Sequence, residues 1–220
     1  MTSPEQEHQR STQVVWVVIG VVIIVAGIGA LVLARVRSDD GSGPVPFSSS
    51  PSTSSTILPE GWLPQYDASK DRDPAVGMTI PKVTGTDADG NDITIGPDGK
   101  AKVILFVAHW CPHCQREVPL LASHLDDHPM PDDVELLTVS TSIKPGAQNY
   151  PPAEWLAREH WEAPVLQDDE ASSTASKFGL SAFPYFVVVD ADGKVVRRAS
   201  GELSTDEFDA AVEAARTGRS

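Results

Sequence analysis

The sequence predicts an α/β fold, a central mixed β-sheet flanked by helices, preceded by one N-terminal transmembrane helix. Three observations carry this expectation. An uncharged apolar run occupies residues 14–34. After about residue 71, strand-like and helix-like stretches alternate. The two cysteines, Cys111 and Cys114, lie just beyond the most apolar of those stretches.

At 220 residues the chain has room for one ordinary domain and accessory segments. The run at 14–34, about 21 residues at 1.5 Å each, spans roughly 30 Å, the thickness of a bilayer core. A cleavable signal has a shorter apolar region, about 7–15 residues, closed by small residues. Here the run leads straight into Arg35 and Arg37, with no cysteine nearby to carry a lipid. We therefore expect a short tail at 1–13 and an uncleaved single-span anchor at 14–34. Counted against Arg10, the pair Arg35 and Arg37 would keep the following domain in the cytoplasm. Long domains, however, are translocated largely regardless of such charges. The expected location is the cell membrane, with the domain on the extracytoplasmic side.

Residues 35–70 are rich in Ser, Pro, Gly and Thr and lack aliphatic periodicity, the composition of a flexible linker. Trp62 and Tyr66 are the aromatic residues near its end. The domain proper, 71–220, reads in order. Asp87 to Asp92 is a turn cluster between short strands. Residues 102–108 form a continuous apolar run, as in a strand buried on both faces. Val118, Leu120, Leu121 and Leu125 recur at helical spacing over 114–125, and 134–139 is the next strand. Residues 152–160 suit a helix, 164–166 a short strand and 170–178 a further helix. The strands 185–189 and 195–197 flank Asp190-Ala191-Asp192-Gly193, a hairpin signal. Ser204 and Glu207 have capping-box spacing and open a last helix that ends near Arg216.

The chemistry is expected at Trp110-Cys111-Pro112-His113-Cys114. A pair so close in sequence closes a loop too short to stabilise a fold much, so redox or metal chemistry comes forward. Where a strand ends and a helix begins, unpaired N–H groups and the helix dipole favour a thiolate at Cys111, the attacking group. Pro112 suits the first helical turn. Cys114 falls one turn on, placed to resolve a mixed disulfide, and His113 adds positive charge beside both. A structural zinc site needs four ligands, and no second cysteine pair exists. A copper-binding or metallochaperone-type protein using Cys111, Cys114 and one of His109, His113, His124 or His128 is the alternative. His124 and His128, four apart, also suit a solvated helix face.

The segment 99–119, centred on this motif, resembles the active-site region of the thioredoxin superfamily. From about Asp73 onward the chain is similar to the membrane-tethered TlpA/ResA-like branch of that superfamily. The resemblance implies a thioredoxin-like fold with no bound cofactor and no metal. It implies that Trp110 packs beside the nucleophile, that Pro119 kinks the active-site helix, and that Phe183-Pro184 is the cis-proline position whose backbone binds extended substrate. The segment 143–169 resembles the insertion of this branch. Two departures stand out. Many thioredoxins carry a buried Asp as proton acceptor where this chain has Leu105, and Glu117 is the candidate replacement. The Pro-His dipeptide is that of DsbA-like oxidants, whereas the tethered branch is largely reducing.

A net charge of −14, from 17 Lys+Arg against 31 Asp+Glu, repels phosphate backbones and speaks against nucleic-acid binding. Peroxide reduction would need a lone peroxidatic cysteine preceded closely by Thr, where this chain has His109 and Trp110. The expected partners are protein thiol or disulfide substrates and a redox partner protein. Oxidative folding and thiol reduction both remain open.

Overall fold

A computed structural model describes residues 61–219. The expected anchor at 14–34 and the linker up to residue 60 lie outside the described residues. Among the described residues no helix is long and apolar enough to cross a membrane.

The elements are β1 (Val83–Thr86), β2 (Asp92–Ile95), β3 (Ala101–Val107), α1 (Pro112–Asp127), β4 (Val134–Ser140), α2 (Pro152–Arg158), β5 (Val165–Gln167), α3 (Ser173–Lys177), β6 (Tyr185–Val189), β7 (Val195–Ser200) and α4 (Thr205–Thr217). The seven strands form one sheet in the order β2-β1-β5-β4-β3-β6-β7. β3, β4 and β5 run parallel, joined by α1 and α2 as crossovers, and the remaining neighbours are antiparallel. The sheet is mixed, with a parallel centre.

Every residue of β3 is buried, because helices or loops cover both faces of the sheet centre. Val103, Leu105 and Val107 pack in one cluster with Val118 and Leu121 of α1, Trp155 of α2 and Phe208 of α4. Ile104 and Phe106 point the other way, as alternation along a strand requires. There they meet Ala175 of α3, Phe178 and the upstream residues Leu63 and Ile80. Lys102 is the polar member of β3, and its ammonium meets Asp98 at 2.5 Å and Glu135 at 3.1 Å.

Two elements differ from expectation for identifiable reasons. The helix expected at 170–178 is only Ser173–Lys177, because Asp168 caps it from the end of β5. Its carboxylate accepts the N–H groups of Thr174 at 2.9 Å and Ala175 at 3.0 Å, and Ser172 takes the left-handed conformation just before them. β7 runs on to Ser200 through register with β6. Packing also reaches upstream of Asp71. Leu63 is buried, its N–H donates to Lys177 O at 2.8 Å, and Tyr66 N–H donates to Gly179 O at 2.8 Å.

Candidate active site

The site lies where β3 gives way to α1, at the C-terminal ends of the parallel strands, the usual place for a site in such a sheet. Cys111 is the N-cap of α1, with extended backbone and no side-chain cap bond. Its sulfur takes the place where a serine or aspartate oxygen would accept first-turn N–H groups. Pro112 at N1 has no N–H to leave unpaired. The first-turn N–H groups without a partner inside the helix are therefore those of His113 and Cys114, at the positive end of the helix dipole.

The two thiols are free and differ in access. Cys111 keeps 6% exposure, and Cys114 has none. Burial pushes the Cys114 thiol far above its ordinary range, and the neighbouring Cys111 and Glu117 add to this. Cys114 is thus held as a protonated thiol.

Leu105 lies in the apolar cluster beside Cys114 and offers no proton acceptor. Glu117 does lie near. One turn beyond Cys114 on α1, it is fully buried, and its two oxygens accept the Leu203 N–H at 3.2 Å each. Burial raises its carboxyl to about 7, against the Leu203 bond and with help from Glu202 and Glu207. A carboxyl near neutrality is suited to taking and returning a proton.

Trp110 is fixed from three sides. Its ring N–H donates to Ser142 O at 2.8 Å, its ring meets Phe183 edge-on at 6.0 Å, and Lys144 Nζ sits 3.4 Å from its centroid. The Phe183–Pro184 peptide bond is cis, and Pro184 O accepts from Gly201 N at 2.8 Å. Trp110, Cys111, Cys114 and Phe183 are thus brought into one cluster.

The remaining histidines have other partners. His109 is buried; its Nδ1 lies 2.8 Å from Gln148 O and its Nε2 accepts from Lys144 N at 3.1 Å, so backbone groups occupy both ring nitrogens. His113 is more than half exposed, with Nδ1 2.6 Å from Glu202 Oε1 and 2.8 Å from Arg116 Nη2. His124 and His128 stack on each other, and His124 pairs with Asp209 at 2.7 Å. Ten residues along α1 from Cys114, His124 is about 15 Å away. Among the described residues no three His, Cys, Asp or Glu side chains are grouped to hold a metal. The copper alternative built on Cys111, Cys114 and a histidine has no ligand set there.

Arg116 and Glu202 carried no mark in the sequence. Arg116 is recognisable only as the residue one turn from His113, and Glu202 stands 86 residues away in the loop before α4. No pattern of spacing joins them.

Residues 75–215 match the Redoxin family. Sporulation thiol-disulfide oxidoreductase A of Bacillus subtilis (strain 168) is 24% identical over 148 residues, 67% of this chain and 86% of that protein. The crystal structure of StoA from Bacillus subtilis superposes with a TM-score of 0.51 at 21% identity, covering 63% of this chain and 98% of that one. The thioredoxin domain of a thiol-disulfide oxidoreductase from Bacteroides vulgatus gives a TM-score of 0.51 at 21% identity, covering 63% and 96%. With these structures the chain shares the thioredoxin-like α/β fold.

Proposed function

Because this chain belongs to the Redoxin family and is a thiol–disulfide oxidoreductase working through Cys111 and Cys114, we propose that it acts on protein thiols and disulfides outside the cytoplasm, tethered to the cell membrane. Both cysteines are buried, but Cys111 at the helix start keeps a little residue exposure and Cys114 none, and that contrast is the observation that carries the mechanism. In the reducing direction, the Cys111 thiolate attacks one sulfur of a substrate disulfide. A Cys111–substrate disulfide forms, and the other substrate sulfur leaves as a thiolate that takes a proton. Cys114 then gives its proton to Glu117 and attacks the Cys111 sulfur. The substrate leaves with its second thiolate, and Cys111–Cys114 is the new disulfide. Two electrons have passed to the substrate. Oxidation of a substrate dithiol is the same path reversed.

In this reading Trp110, Phe183 and Pro184 form the surface that meets the substrate backbone. The Phe183 contact with Trp110 supports that role, and Pro112 starts the helix that presents Cys111. The tether is assigned to residues 14–34, the linker to the stretch that follows it, and the catalytic domain to 71–220 together with the packed residues Leu63 to Tyr66 ahead of it; the uncharged apolar run supports the first of these. The domain's similarity to the TlpA/ResA-like branch argues for reduction, and Pro112-His113 for oxidation. Between thioredoxin and DsbA, at about −270 and −120 mV, we expect an intermediate potential.

In the full-length protein, Cys111→Ser is expected to abolish exchange with a model disulfide, while Cys114→Ser accumulates mixed disulfides with substrate. Faster alkylation of Cys114 than of Cys111 in the reduced protein at neutral pH would reverse the two roles. An impermeant thiol reagent should label Cys111 in intact, reduced cells. Labelling only after lysis would place the domain in the cytoplasm.

A further inference from the structure

An imidazole and a guanidinium, those of His113 and Arg116, stand one turn apart at the start of α1, the helix that Cys111 caps, and touch at 2.8 Å. Arg116 stands five residues after the N-cap Cys111, about 7.5 Å of helix rise and inside the roughly 10 Å over which a charge acts in salt water. Cys111 is among the groups that keep the Arg116 guanidinium charged. Left alone, such cations stabilise a thiolate and with it the reduced form, which raises the reduction potential. They are not left alone.

Glu202 meets both. Arg116 Nε donates to Oε1 at 3.1 Å and to Oε2 at 3.2 Å, and Arg116 Nη2 also binds Oε1. The same Oε1 lies 2.6 Å from His113 Nδ1, which lies 2.8 Å from Arg116 Nη2. One ring nitrogen cannot accept and donate at once. With the proton on Nε2 it accepts from Arg116; with the proton on Nδ1 it donates to Glu202. Either arrangement ties the imidazole to the ion pair.

The backbone holds Glu202 in this place. On one side Gly201 N–H donates to Pro184 O at 2.8 Å, and on the other Leu203 N–H donates to the buried Glu117 at 3.2 Å. The loop is therefore pinned to the cis-proline segment and to the interior of α1 at once, with the carboxylate directed at His113 and Arg116.

We propose that Glu202 is a positioning residue for the dithiol: by neutralising Arg116 and competing with it for Nδ1 of His113, it weakens the cationic support of the Cys111 thiolate and makes the protein less oxidising than its Cys-Pro-His-Cys sequence implies. This rests on thiol–disulfide exchange at Cys111 and Cys114. With a neutral imidazole the three side chains sum to zero charge instead of plus one, and with an imidazolium to plus one instead of plus two. Arg116 and His113 hold the Glu202 carboxyl below the usual carboxylate range, so the counter-charge persists at neutral pH.

The two ends of one salt bridge then have opposite effects, which a purely structural clasp does not produce. The test equilibrates full-length wild type, Glu202→Gln and Arg116→Gln with glutathione buffers and reads the ratio of dithiol to disulfide. Glu202→Gln is expected to raise that ratio about two- to fivefold, the scale of a solvent-screened pair. Arg116→Gln leaves the carboxylate uncompensated and is expected to lower it by a similar factor. Shifts of the same sign, or none, in a wild type that does exchange would overturn the proposal alone. A wild type whose two cysteines do not exchange with glutathione would overturn the activity on which it rests.

Discussion

Glu117 is a carboxyl sealed from water, in contact with one backbone N–H and close to two further acidic residues. Such a group is costly to ionise inside a protein. Its place one turn after Cys114 was legible in the sequence, as was the vacancy at Leu105 that makes it useful. Its burial was not, because that depends on α4 and the loop before it closing over α1. The raised carboxyl has a consequence for stability. Between its ordinary 4.5 and about 7, the native state keeps a proton that the unfolded state has shed. Stability therefore falls as pH rises through that window, with the full penalty present above about 7. Glu117→Gln removes the penalty, so relative to wild type it should be stabilised by on the order of 2–3 kcal/mol more at pH 8 than at pH 4. Urea midpoints at the two pH values give the comparison. An equal difference between the two proteins at both would show that Glu117 is not the group that titrates. The same substitution should slow the release of mixed disulfides, since Cys114 loses its proton acceptor.

Among the elements, local signals were read where the signal itself is local. The capping box at Ser204 and Glu207 is formed at the start of α4, with Ser204 N–H donating to Glu207 at 2.8 Å. The Asp190 to Gly193 hairpin joins β6 and β7, and Asp87 closes its turn by accepting from Asp89 N at 2.9 Å and Asn91 N at 2.8 Å. α3 is shorter than its pattern because its cap, Asp168, arrives from a strand end outside the helical stretch. His109 is a similar case. Its position beside the cysteines suggested a metal ligand, yet its ring joins Gln148 O and Lys144 N and so fastens the loop between β4 and α2 to the residue before Trp110. That loop in turn supplies the Ser142 carbonyl and the Lys144 ammonium that hold the Trp110 ring. His109→Leu leaves a backbone donor and an acceptor without partners and should cost about 1–3 kcal/mol of stability. Hydrogen exchange offers the more specific measurement, with the Lys144 amide losing protection while amides in β3 and β4 keep theirs. Unchanged protection at Lys144 would mean that the loop is held by other contacts.

At the scale of the whole molecule, the domain is anchored to its own upstream segment through one buried cation. Arg198 on β7 has a fully buried side chain, and Asp73 takes two of its bonds, at 2.7 Å from Nε and 2.5 Å from Nη2. Its Nη1 donates to Pro64 O at 2.8 Å, to Phe178 O at 3.2 Å and to the Tyr185 hydroxyl at 3.0 Å. Tyr66 closes over Tyr185 with ring centroids 5.8 Å apart. Composition alone places residues 61–70 in the linker, because they carry no aliphatic periodicity of their own. The residues that bind them to the sheet stand more than a hundred positions later, where no sequence window reaches. Burial works against the Asp73 carboxylate, but the Arg198 bonds outweigh it and hold it below the usual range. Replacing one partner leaves the other charge buried and unpaired, which typically costs about 3–5 kcal/mol. Asp73→Ala should therefore lower the unfolding free energy by that amount and expose the amides of Leu63 and Tyr66 to exchange before the rest of the sheet opens. Replacing both partners with apolar residues, as in Asp73→Leu with Arg198→Met, removes the stranded charge and should recover a large part of the loss. A destabilisation below about 1 kcal/mol for Asp73→Ala would match an exposed pair, and it would mean that water reaches the guanidinium and that the upstream segment is held by Leu63 and Tyr66 alone.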